Sequence, residues 1–327
     1  MNRWGWKVWL MLAVMLLTAV FTLGIIKTSV LEALMVCVRS LVPSLFPFSV
    51  LSRVFCGVLA VDSKRKNRYL PCVIMGWVGG YPLGATLIRQ ASYESEDVTG
   101  LVCLSSCGSL GYIVGVVGAS VCNNLEFGIC LYLFQVVVSL VFYSKKTNAK
   151  DHIRQMQGSA ATQMKFISNF VSAIRESALT MLYICAFTVV FSVISDVLAV
   201  LVPIPFAKAL YRVVFEFSTG GIMAFETFPG AVGLFLLGFS VGFGGLSVHA
   251  QIFCFVEKCI SSYRRVILLK LGVGVLCGAF SALYAYFRIY AFLLMIICLA
   301  IGWCVKNLVL MQRKSAKNCR RATFEVV

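Results

Sequence analysis

MGWVGGYPLGATLIRQ, Met75 to Gln90, is apolar enough to lie in a bilayer, yet its centre, Gly79-Gly80-Tyr81-Pro82-Leu83-Gly84, cannot continue a helix. Proline removes a backbone donor and glycine lowers helix propensity, so peptide groups are left free there. Inside a hydrocarbon layer such a break survives only where protein or a water-filled cavity satisfies those groups. Broken apolar segments of this kind are where membrane carriers build binding sites.

The rest of the chain is of the same character. Its 327 residues are 60% hydrophobic and 13% charged, with a mean hydropathy of +0.91, more apolar surface than a soluble domain of this length can bury. Apolar runs long enough to cross a bilayer recur from end to end, which predicts an all-α polytopic membrane protein. The net charge of +16 sits in short clusters between those runs. That pattern reads as orientation signals and not as a nucleic-acid-binding face. Most of the 14 cysteines fall inside apolar runs, as Cys37, Cys185 and Cys277 do, where they act as small hydrophobes. With no CxxC pair and only His152 and His249, a zinc site is not expected. Paired carboxylates, a nucleophile elbow and a phosphate loop are missing too, so neither enzyme activity nor a cofactor is predicted.

Read in order, Trp6–Ile26 forms a first span, and residues 1–28 an N-terminal transmembrane anchor. Ser29–Leu41 carries Glu32 and Arg39 and reads as a short amphipathic helix at the interface. A span over Val42–Val61, the basic loop Asp62–Arg68, the broken segment Tyr69–Gln90, the interrupted span Val98–Val121 and the plain span Leu125–Tyr143 follow. Together they make a first repeat over residues 29–144. A polar cytoplasmic linker covers 145–162. The second repeat, 163–288, again starts amphipathic, over Met164–Arg175. It continues with a span over Ser177–Val202, a short segment over Phe206–Phe225 broken at Ser218-Thr219-Gly220-Gly221, a long span over Ala231–Val256 interrupted at Gly242–Gly245, and a plain span over Val266–Phe287. Residues 289–327 hold a last transmembrane helix and a basic tail.

The order of elements is thus the same twice. Gly79-Gly80 pairs with Gly220-Gly221, and Gly108-Ser109-Leu110 with Gly244-Gly245-Leu246, at nearly constant offset. A rival alignment of GGYPLGATL (79–87) on GGLSVHAQI (244–252) looks closer letter by letter but leaves every other element unmatched. Lysine and arginine accumulate on the cytoplasmic side of membrane proteins. If the two short broken segments are re-entrant hairpins, most of the 29 basic residues fall on one side; if they cross, the bias collapses. The count favours about eight transmembrane helices plus two re-entrant hairpins in two inverted repeats, with both termini inside.

VPSLFPFSVLSRVF (42–55), GGYPLGATLIRQ (79–90), CGSLGYIVGVVG (107–118), FEFSTGGI (215–222) and GFGGLSVHAQIF (242–253) resemble the YlbJ family of sporulation integral membrane proteins. That family belongs to the Gate or "nucleoside recognition" group, similar in layout to concentrative nucleoside transporters. The resemblance covers roughly residues 30 to 290. It implies a multi-pass protein of the bacterial inner membrane, including a membrane around the forespore, and a carrier of a small dipicolinate-like anion. Where Gate proteins commonly carry an asparagine-rich stretch ending in Gly-Pro, this chain has Ser105-Ser106-Cys107-Gly108-Ser109-Leu110. A non-transporting scaffold or regulatory Gate protein and a nucleoside transporter are the alternatives.

Each break exposes N–H groups at the start of the next half-helix, and such ends favour anions. The candidate substrate-binding residues follow from the breaks: Gly80, Tyr81, Pro82, Gly84 and Thr86; Ser109 and Gly111; Ser218, Thr219, Gly220 and Gly221; Gly245, Ser247, His249 and Gln251. Glu216, an acid inside an apolar segment, is the candidate coupling residue for a proton or a sodium ion, with a pair to Arg212 as the purely structural alternative. Arg89 ends the first hairpin, where it attracts anions or anchors the interface. The expected partners are a small anionic metabolite and membrane lipid, with no nucleic acid; assembly into a homo-oligomer is left open.

Overall fold

The computed structural model describes Trp9 and residues 23–60, 69–92, 97–142, 162–202, 206–257, 260 and 262–302. Most of the first span, the basic loop after the second, the linker between the repeats and the basic tail lie outside these residues. Helix is the only regular secondary structure among the described residues. Five stretches are long and apolar enough to cross a membrane: Leu23–Cys56, Leu125–Phe142, Ile167–Leu201, Gly230–Val256 and Tyr263–Tyr286.

The helices are α1 (Leu23–Val36), α2 (Val42–Ala60), α3 (Tyr69–Gly79), α4 (Leu83–Ala91), α5 (Thr99–Ser105), α6 (Gly111–Val121), α7 (Leu125–Phe142), α8 (Thr162–Leu201), α9 (Ala207–Phe215), α10 (Phe217–Thr227), α11 (Gly230–Phe243), α12 (Gly245–Val256), α13 (Tyr263–Tyr286) and α14 (Arg288–Gly302). The order of long helix, short hairpin, interrupted helix and plain helix occurs twice, in α2–α7 and in α8–α13.

Two sequence expectations are corrected here. Ser29–Leu41 is not a separate interfacial helix, because α1 runs into α2 through one wide turn, Cys37–Leu41. Pro43 and Pro47 would each collide with the carbonyl four residues back in a regular helix. Widening the preceding turn, where the Val42 N–H bonds Cys37 O, carries the helix past Pro43, and α2 runs on with Pro47 inside it. Likewise Met164–Arg175 continues without a break into α8, a helix of 40 residues. The polar positions that read as interfacial have protein partners instead: Glu32 Oε2 lies 3.4 Å from Arg212, and Glu176 Oε2 lies 2.6 Å from Arg53.

These two long helices lie against each other antiparallel. The Ser29 hydroxyl donates to Asp196, Ser49 Oγ lies 3.0 Å from Ser177 Oγ, and Arg53 pairs with Glu176, so partner numbers fall along α8 as they rise along α1 and α2. Their outward faces carry Leu31, Val38, Leu51 and Phe55, and Ile167, Val171, Leu182 and Val190, all exposed, as a lipid-facing surface requires. Behind them, α11 packs on α13 where small residues meet: a Cβ on Gly242 would lie 2.8 Å from Gly274 Cα, and one on Gly238 only 2.5 Å from Cys277 O. Such close approach is how helices gain contact in lipid, where apolar burial offers little. Phe134 of α7 stacks on Phe280 of α13 at 4.3 Å.

Candidate functional site

The first hairpin, α3–α4, turns at Gly80, whose φ of +83° suits glycine. Glycine is also required by space, because a Cβ there would stand 2.6 Å from Ser109 Cβ and 2.7 Å from Ser109 N. The tip of the hairpin therefore rests on the break between α5 and α6. The next residue, Tyr81, reaches into the other repeat: its hydroxyl donates to Val241 O at 3.0 Å and accepts from Gln135 Nε2 at 3.0 Å. Gln135 in turn donates to Val241 O, and its Oε1 accepts from Gly108 N at 3.1 Å. One buried amide thus ties both breaks and both repeats together. Gly84 presses on Ser105, where a Cβ would sit 2.3 Å from the carbonyl oxygen, and the Thr86 hydroxyl donates back to Leu83 O at 2.8 Å. Pro82 closes the turn ahead of α4, and Arg89 Nη1 at the far end of α4 donates to Phe255 O on α12 at 2.8 Å.

The break between α5 and α6 falls where expected. Ser109 opens α6 by accepting Tyr112 N at its Oγ and Ile113 N at its carbonyl, both at 3.0 Å. At Gly111 the helix passes α2 so closely that a Cβ would lie 2.5 Å from Ser44 O.

In the second hairpin the break is not at Ser218–Gly221. It lies one step earlier, at Glu216, and Ser218, Thr219, Gly220 and Gly221 are helical in α10. Glu216 has extended backbone, and its carboxylate caps α10. Thr219 N donates to it at 2.7 Å, Ser218 N at 3.2 Å, and both hydroxyls at 2.7–2.8 Å. An acid at a helix N-terminus also meets the positive end of the dipole. The glycines serve packing instead: a Cβ on Gly220 would lie 2.3 Å from Arg212 C, and one on Gly221 2.6 Å from Ser240 Oγ. Arg212 does not pair with Glu216. It donates to Asp196 at 2.8 and 2.5 Å and to Thr219 Oγ1 at 3.0 Å, all inside the protein.

The last break, Gly244-Gly245, is left-handed at both residues, with φ of +86° and +68°. A Cβ on Gly245 would meet Phe217 N at 3.0 Å, and one on Gly244 the Tyr81 ring at 3.3 Å. Beyond it, Ser247, His249 and Gln251 are buried on α12. Ser247 Oγ and both ring nitrogens of His249 have no hydrogen-bond partner among the described residues. The ring of His249 lies 4.8 Å from that of Phe243.

All four breaks meet at one place. The Phe217 ring stands 5.8 Å from Tyr81 and 5.2 Å from Tyr112, and Tyr112 Oη donates to Ser218 O at 3.0 Å. Gly80, Tyr81, Ser109, Glu216, Ser218, Gly244 and Gly245 come together there. Gly84, Gly111, Gly220 and Gly221 let the surrounding helices come close, Thr86 bonds back within α4, and Ser247, His249 and Gln251 are buried on α12 beyond the last break.

Sequence reasoning missed three members of this centre, Gln135, Tyr112 and Lys270, and the acid that holds Arg212, Asp196. Gln135 and Tyr112 give no local signal. Asp196 and Lys270 were visible as charges inside apolar spans, itself a functional flag. The Lys270 ammonium is buried, donates to Ser106 O and lies 5.4 Å over the Tyr81 ring. Taking such an ion out of water costs several kcal/mol. A charged hydrogen bond contributes about 1.5–3 kcal/mol and a desolvated cation–π contact about 2 kcal/mol, so the two contacts at best offset the burial.

No family model matches the chain, and no solved structure does. It is 24% identical over 297 residues, covering 74% of this chain and 73% of the relative, to the sporulation integral membrane protein YlbJ of Bacillus subtilis (strain 168). That likeness supports membership of the YlbJ family. With that likeness and five apolar helices of spanning length, the chain is a multi-pass membrane protein.

Proposed function

We propose that the chain is a sporulation-associated secondary transporter of a small organic anion, dipicolinate-like in chemistry, working by alternating access between two inverted halves. The observation that carries this reading is the meeting of four helix breaks, two from each half, at one buried centre. Broken helices in a membrane persist where a ligand or ion has to be held at mid-depth.

The antiparallel course of α1–α2 against α8 and the repeated element order support inversion and the count of about eight crossings. Anchorage of the hairpins supports it further. Gln90, ending the first hairpin, donates to Glu176 on α8, whereas Arg212 of the second hairpin holds Asp196 near the other end. At a rise of about 1.5 Å per residue these two acids are about 30 Å apart, the thickness of the hydrocarbon core. Glu216, buried and with no ion-pair partner among the described residues, is the proposed site of a coupling proton or sodium ion.

A second reading, a scaffold that kept the carrier fold without transport, is favoured by one observation. The N–H groups at two breaks are already taken, by Ser109 and by Glu216. Proteoliposomes separate the two: the carrier takes up labelled dipicolinate, and Glu216→Gln abolishes concentrative uptake. A folded protein that moves neither dipicolinate nor nucleosides, with Glu216→Gln indistinguishable from the parent, establishes the scaffold.

A further inference from the structure

Lys270, on α13, projects into the centre where the breaks meet, and no role described so far uses its charge. Its ammonium has three donors. One goes to the Ser106 carbonyl, and the Tyr81 ring covers another side at 5.4 Å. No carboxylate pairs with it among the described residues. The buried acids at the core are committed elsewhere, Glu216 to Ser218 and Thr219 and Asp196 to Arg212 and Ser29.

The polar atoms around it are also unsatisfied. Ser106 Oγ, on the residue whose carbonyl Lys270 bonds, and both nitrogens of His249 are buried without a partner among the described residues. His249 lies within electrostatic range of Lys270, and its ring approaches the Phe243 carbonyl without reaching hydrogen-bond geometry. Buried polar groups in folded proteins are nearly always bonded, and a cluster of exceptions around a lone charge marks a place where something else binds. All of these groups can donate, and the one charge is positive, so the missing component is an anion. A single ammonium balances one carboxylate, and the Tyr81 ring beside it suits the flat ring of an aromatic acid and not a hydrated phosphate.

We propose that Lys270 is the counter-charge for a carboxylate of the transported ligand. Its Nζ exchanges the Ser106 carbonyl for a carboxylate oxygen, and Ser106 Oγ and His249 donate to the carboxylate. The assignment rests on the carrier reading above, deepens it by naming the group that neutralises the ligand, and extends the site to a helix that has no break. Because Tyr81 covers the ammonium, the ligand enters as the tip of the first hairpin withdraws.

Thermal-shift and calorimetric binding on the purified full chain test this with picolinate, dipicolinate, uncharged picolinamide and inorganic phosphate. The expected result is that picolinate and dipicolinate stabilise the protein, while picolinamide and phosphate do not. Lys270→Met is expected to weaken carboxylate binding at least tenfold without lowering the melting temperature of the unliganded protein, since it removes an unpaired buried charge. Lys270→Arg, which keeps the charge, should bind more tightly than Lys270→Met. Should Lys270→Met not fold, Ser106→Ala tests the same site by a several-fold loss of affinity. Carboxylate binding unchanged in Lys270→Met or in Ser106→Ala, or no carboxylate binding by the parent, overturns the proposal. Dipicolinate uptake with parental KM in Lys270→Met removes Lys270 and leaves the carrier reading; carboxylate binding through Lys270 with no uptake does the reverse.

Discussion

Asp196 shows how much of this protein depends on single buried charges. Its carboxylate accepts two bonds from Arg212 and one from Ser29, and both Asp196 and Arg212 are almost fully buried. Replacing a buried pair by apolar residues is often neutral, but removing one partner strands the other at a cost of about 3–5 kcal/mol. Asp196→Ala should therefore lower the melting temperature in detergent sharply, and adding Arg212→Leu should restore much of the loss. A single mutant that melts like the parent would show that Glu32 alone suffices for Arg212. At Gly244 the cause is conformational. A left-handed backbone costs an alanine about 1–2 kcal/mol, and its Cβ would press the Tyr81 ring at 3.3 Å. Gly244→Ala is expected to destabilise by at least that amount, whereas Gly115→Ala, where the added atom meets open space, should be neutral in the same melts.

At the scale of elements, the sequence announced that helices break but not always where. Gly79-Gly80 with Pro82 and Gly242–Gly245 marked two breaks correctly, because proline and left-handed glycine end helices by local means, and Cys107–Leu110 marked a third, where Ser109 accepts the Tyr112 N–H. Gly220-Gly221 misled. Glycine also appears where another backbone must come close, as Arg212 does here, and the actual break is set by a carboxylate that caps the following helix. Continuity of the long helices was hidden for a different reason. Glu32 and Arg39 look interfacial along the chain, and only the fold supplies the partner that lets Glu32 sit in a packed helix. Gln135 and Tyr112 were beyond reach, since their role is fixed by residues distant in sequence. Whether α3–α4 is re-entrant is decided by labelling. Cysteines at Leu70 and Ser92, in a background free of other cysteines, should both react with an impermeant maleimide from the cytoplasmic side; reaction from opposite sides would make the segment a crossing.

For the whole molecule, the antiparallel seam between α1–α2 and α8 carries the relation between the two halves. Ser49 and Ser177 face each other across it with hydroxyl oxygens 3.0 Å apart. In the same cysteine-free background, Ser49→Cys with Ser177→Cys should cross-link on mild oxidation, so that cleavage in the linker around 145–161 no longer separates the halves on a non-reducing gel. Failure to cross-link would displace this seam and with it the argument for inversion. Legibility at this scale was good for class and element order and poor for chemistry, because an intramembrane charge such as Lys270 looks the same in sequence whether it is paired or bare.

The contact of Phe217 with Tyr81 and Tyr112 also has an electrical consequence. Ions cross membranes along files of water, and the Phe217 ring packed edge-on against Tyr81 and Tyr112 leaves no room for water between the three. On the transport reading proposed above, the two halves can rock around this point without an ion leak for as long as the three rings stay in contact.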